Sequence, residues 1–118
     1  MATLTTQPIA RGGMAPSYVT ANAGGDAMEC GWYMFLHIKN TNAGAARVVQ
    51  LNIPAGRVWE PNVIPAPVNI SVAQASERMI GPVDGLTFRD PVTGLCSITY
   101  PSGGAVDFQI AAIHIVQP

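Results

Sequence analysis

An all-β, single-domain sandwich or small barrel is the fold class this sequence predicts, and three observations predict it. Apolar residues recur at every second position in several separate runs, the signature of half-buried strands. Turn-forming clusters built from 12 Gly and 10 Pro fall at intervals of roughly 8 to 12 residues, a spacing that suits short strands. Helical spacing is confined to Ala73 to Met79, too short a stretch to change the class. About seven or eight strands are expected, in a jelly-roll-like or immunoglobulin-like order. The chain has 118 residues, of which 48% are apolar, enough for one compact core.

Residues 1–16 mix Thr, Gly and Pro with little periodicity and read as an extended N-terminal arm, either frayed or ordered on a neighbouring molecule. The sandwich domain is expected over 17–118, opening at Tyr18 and Val19 before the turn cluster Asn22 to Asp26. Gly31 to Asn40 is the clearest strand: Trp32, Met34, Leu36 and Ile38 alternate with Tyr33, Phe35, His37 and Lys39, so both faces look partly covered. After a polar turn at Asn40 to Gly44, Arg47 to Ile53 places Val49, Leu51 and Ile53 on one face, and the two strands are expected to pair as a hairpin. Four prolines between Pro54 and Pro67 each remove a ladder donor and make this stretch a loop or an edge segment. Val68, Ile70 and Val72 alternate in the next strand, and Gly81-Pro82 stops or bends the segment Glu77 to Ile80 that leads into it. Leu86 to Arg89 is a short element. Leu95 to Tyr100 puts Cys96, Ile98 and Tyr100 on one side, and Val106 to Val116 ends apolar on both faces, as an interior strand does.

The charge content is unusually low. The chain has 6 Lys plus Arg and 7 Asp plus Glu, together 11% of residues, against about 25% in ordinary soluble domains. A small domain with so few surface charges is poorly protected from association, so much of its surface is expected to be covered in an assembly. A net charge of −1 with scattered cations argues against nucleic acid as a partner. Neither a membrane span nor a signal peptide is indicated by the sequence, and the expected site of synthesis is the cytoplasm. In a reducing compartment Cys30 and Cys96 are expected as free, partly buried thiols.

No catalytic residues, cofactor or metal site are expected. His37 and His114 would meet only if their strands were neighbours with matching faces, and their spacing carries no metal signature. A nucleophile elbow, a phosphate-binding glycine loop and a zincin helix are all missing from the sequence. Partner contact is expected instead at Arg11, Tyr18, Arg57 and Trp59. Trp59, in the proline-rich loop, is either an interface anchor or a local loop plug.

Several short motifs carry a resemblance. They are Tyr-Val-Thr-Ala-Asn-Ala-Gly-Gly-Asp at Tyr18 to Asp26, Phe-Leu-His-Ile-Lys-Asn at Phe35 to Asn40, Glu-Arg-Met-Ile-Gly-Pro at Glu77 to Pro82, and Phe88-Arg89-Asp90 before a terminal apolar strand. In this order the chain resembles small proteins encoded beside the major capsid protein in tailed phages and prophages, and it looks like a capsid decoration (cement) protein. The resemblance spans Tyr18 to Ile115, although Pro54 to Pro67 is longer than the group implies. It implies a β-rich homo-oligomer, a trimer above all, that binds the major capsid protein where capsomers meet and resides on the virion surface. A tail or head-tail connector protein, which would form rings, and a carbohydrate-binding β-sandwich using Trp59 and the tyrosines are the alternative expectations.

Overall fold

Strand alternation becomes burial wherever two sheets face each other, and the computed structural model, which describes residues 2–54 and 67–115, has this arrangement. Ten strands lie among the described residues. In chain order they are β1 (Ala2–Thr3), β2 (Thr6–Ile9), β3 (Val19–Thr20), β4 (Asp26–Glu29), β5 (Met34–Asn40), β6 (Arg47–Leu51), β7 (Val68–Val72), β8 (Glu77–Ile80), β9 (Leu95–Thr99) and β10 (Phe108–Ile115). The first sheet has the order β1-β4-β9-β6-β7 and the second the order β2-β10-β5-β8, with β3 also paired to β10. This is the all-β sandwich that the alternation predicts.

The core is the sum of the inward-facing positions. Leu36 and Ile38 of β5, Ile110 and Ala112 of β10, Val49 and Leu51 of β6, Val72 of β7 and Cys96 and Ile98 of β9 are all buried together. Each large side chain buried in this way stabilises the fold by roughly 2 kcal/mol. Strand β10 is interior in its sheet and buries Ala111 and Ile113 on its second face as well, as its doubly apolar sequence requires.

Two expectations are corrected. Strands β5 and β6 do not form a hairpin; they lie in different sheets, and β6 pairs with β7 and β9 instead. The cause is Asn40, 2% exposed, whose Nδ2 donates to the carbonyls of Ala45, Val72 and Ala73 while its Oδ1 accepts from the Asn42 N–H. These bonds make a corner that carries the chain from one sheet to the other. Asn42, Arg47 and Thr41 close the corner on Asp107, whose carboxylate accepts from Asn42 Nδ2 at 3.2 Å and from Arg47 Nε at 3.1 Å. The helix candidate at Ala73 to Met79 is likewise a second sheet-switching corner followed by β8, with Ala75 at φ 50°. The short element near Leu86 is one helical turn, Gly85–Phe88, with Asp84 accepting from Thr87 N–H as its N-cap.

The N-terminal arm is extended, and its first residues pair with both of the chain's own sheets. Strand β1 pairs in parallel with β4, and β2 pairs in parallel with β10, so residues 2–9 bridge both sheets and bury Leu4 between them. Thr6 Oγ1 donates to Glu29 Oε2 at 2.7 Å, and Gln7 both donates to and accepts from the backbone of Ser17.

Candidate interaction surface

The outer face of the second sheet exposes several large apolar side chains to solvent, among them Trp32, Tyr33, Met79 and Ile115. Residues opposite one another in a ladder share a face, as do residues two apart on one strand. The pairs Phe35↔Ile113, His37↔Ala111, His37↔Met79 and Lys39↔Glu77 therefore place Phe35, His37, Lys39, Met79, Glu77 and Ile113 on this face. It divides into two halves.

One half is covered by the chain itself. Tyr18 lies over His37 with its hydroxyl 2.6 Å from Nδ1, and Lys39 Nζ sits 4.2 Å from the Tyr18 ring centre. His37 Nε2 points toward Glu77 Oε1 at 3.5 Å and has no hydrogen-bond partner among the described residues.

The other half is apolar and open. Gly31 makes a turn in which Met34 N–H donates to its carbonyl, and the strand starts only at Met34. Trp32 and Tyr33 consequently precede the ladder and stand out into solvent, 64% and 43% exposed, where alternation alone puts Trp32 inward with Met34. Met79 at 66% and Ile115 at 47% lie beside them, held by β8 and by the bond from Ile115 N–H to the Tyr33 carbonyl. Gly81 lets the chain after β8 press against Phe35, since a Cβ there would come within 2.6 Å of the Phe35 Cβ. Pro82 then completes the rim through a cis Gly81-Pro82 bond. Together Trp32, Tyr33, Phe35, Met79, Pro82 and Ile115 surround a shallow groove of about 360 Å³. An apolar cluster of this kind is the usual mark of an interaction site, and an aromatic anchor such as Trp32 is the residue type that carries binding energy.

Of the residues expected to meet a partner, Arg11 is exposed at the turn that Gly13 N–H closes on the Ala10 carbonyl. Tyr18 is committed to His37 and Lys39. Arg57 and Trp59 lie outside the described residues. Tyr33 is one of the tyrosines weighed for a sugar-binding platform, but the groove itself is not legible in the sequence, because its residues come from three strands. The two histidines do not meet: β5 and β10 are neighbours, but His114 is opposite Met34 and His37 is opposite Ala111, on opposite faces. Among the described residues no group of three His, Cys, Asp or Glu could hold a metal ion.

The buried titratable pair is Asp26 and Tyr100. The Tyr100 hydroxyl donates to Asp26 Oδ2 at 2.5 Å, and Asn22 N–H donates to the same oxygen at 3.0 Å. Burial, with the Asp26 hydrogen bond and charge added, pushes the Tyr100 phenol well above its ordinary range. The pair ties β4 to the end of β9. Compared with known protein families, with curated proteins and with solved structures, the chain matches none.

Proposed function

We propose that this chain is a capsid decoration protein of a tailed phage, binding the major capsid protein on the outside of the assembled shell at sites shared between capsomers. The open apolar half of the second sheet, centred on Trp32, Met79 and Ile115, is the observation that carries the reading. It supplies a contact surface without charge on a scaffold whose corners are closed by internal hydrogen bonds, and rigidity of this kind lowers the entropic cost of docking. Two of the motifs that resemble decoration proteins, Phe35 to Asn40 and Glu77 to Pro82, are neighbouring strands on the edge of that groove.

In this role the chain acts as a homotrimer, and several capsid subunits complete each binding site. The expanded lattice is then stabilised by mass action, because binding favours the state that presents the whole site. Co-sedimentation with empty expanded shells from a phage that encodes the chain tests the proposal. Saturation at a copy number matching three-fold positions is expected, with little binding to unexpanded shells. Absence of binding to expanded shells, or assembly into six-fold rings that bind tails, contradicts it.

A further inference from the structure

Cys30 and Cys96 stand next to one another across the first sheet. Met28 is directly opposite Cys96, and Cys30 is two residues further along the same side, one residue past the end of β4. There the chain is leaving the ladder, so Cys30 lies on the diagonal from Cys96 on the same side of the sheet; Cys30 Sγ donates to the Met28 carbonyl at 4.0 Å and Cys96 Sγ to the Ser97 carbonyl at 3.7 Å. Cys96 is fully buried in the core, whereas Cys30 packs against the core while keeping part of its surface in solvent.

We propose that Cys30 and Cys96 form a redox-active dithiol that a low-molecular-weight disulfide oxidises to an intramolecular bridge. The Cys30 thiolate attacks one sulfur of the reagent; the reagent's S–S bond breaks, and its first half leaves as a thiolate. Cys96 then loses its proton and attacks Cys30 Sγ in the resulting mixed disulfide, expelling the second half. Two protein thiols are oxidised by two electrons in total, and the reagent is reduced to two thiols that take up the two protons.

The environments assign the order of attack. The Cys96 hydrogen bond, and after it the Arg89 charge, hold the Cys30 thiol below its usual range against desolvation and the Asp84 carboxylate. The Cys96 thiol is pushed up by its hydrogen bond to Cys30 and by burial, which suits a resolving thiol that reacts only after Cys30 has been modified. The bridge pins the chain immediately ahead of the Gly31 turn, and this turn presents Trp32 and Tyr33 to the groove. Oxidation therefore staples the base of the open apolar half to β9.

The test treats the reduced, full-length chain with excess glutathione disulfide under native conditions, with intact mass, free-thiol count and peptide mapping as readouts. The expected product is a monomer lacking two hydrogens, without free thiols, with Cys30 and Cys96 cross-linked. Its Tm should be higher by about 10 °C and should return on reduction with dithiothreitol. In Cys96→Ala a glutathione adduct should accumulate on Cys30, and in Cys30→Ala the remaining thiol should stay unmodified. A wild-type chain that keeps both thiols, stops at a stable Cys30 adduct, or cross-links between two molecules overturns the proposal. Because the decisive readout is on the wild-type chain, a variant that fails to fold does not blunt the test.

Discussion

The two halves of the outer face of the second sheet are built on the same strands, β8, β5 and β10, and are finished in opposite ways. Toward Lys39 the surface is closed by the chain itself: Tyr18 caps His37, Lys39 caps Tyr18, and Asn40 turns the corner with every polar atom of its amide engaged. Toward Trp32 the same strands end in exposed aromatic and aliphatic side chains around a groove. The difference separates two uses of sequence. Polar residues with internal partners fix the fold, whereas apolar residues without them contribute little to the isolated chain and are available to something else.

This contrast can be broken from the closed side first, where the largest effects are expected. Asn40→Ala removes an amide that satisfies three buried or half-buried carbonyls and the Asn42 N–H, and should cost about 3 kcal/mol in denaturant unfolding. In the first sheet, away from both halves, Tyr100→Phe leaves the buried Asp26 carboxylate one donor short and should cost about 2 kcal/mol near neutral pH.

Tyr100 also makes a pH prediction. Its folded-state pKa lies above the ordinary value of 10.0, so the folded protein holds the phenolic proton more tightly than the unfolded chain does. The stability this contributes is complete below pH 10.0 and is lost as pH rises above it. Wild-type unfolding midpoints should therefore fall at alkaline pH, and those of Tyr100→Phe should fall less steeply.

Smaller effects sharpen the comparison. Tyr18→Phe removes the hydroxyl bonded to His37 while keeping the ring under Lys39, and a loss of about 1 kcal/mol in thermal or denaturant unfolding is expected. On the open side, a Trp32→Ser, Met79→Ser variant should unfold within about 0.5 kcal/mol of wild type, since exposed side chains with few contacts stabilise little. An equally large destabilisation on both sides would mean that the groove is part of the core and not a surface kept for a partner.

Much of the sandwich was legible because a period of two reports burial directly. Val49 and Leu51, Cys96 and Ile98, and Phe108, Ile110 and Ala112 are all buried on the faces the alternation assigns. The features that escaped were set by partners distant in sequence. The parallel pairing of β1 and β2 has no local pattern, because its partners Asp26 and Ala112 lie far along the chain. Asn40 reads as an ordinary turn residue until Val72 and Ala73 arrive to accept its hydrogen bonds. Trp32 fits the inward phase of β5, and only the turn at Gly31 turns it outward. Of the expected contact residues, Tyr18 was legible as important but not as the cap of His37. An interaction surface assembled from the ends of β5, β8 and β10 leaves no contiguous trace in sequence.

The most direct test of the central claim is to compare binding of the wild-type chain and the Trp32→Ser, Met79→Ser variant to empty expanded shells, with thermal unfolding of both measured alongside. Saturating occupancy by the wild type, loss of occupancy by the variant and matching Tm values are expected. A variant that occupies shells as fully as the wild type, or a wild type that does not bind them, contradicts the assignment of the open apolar half as the capsid-binding surface.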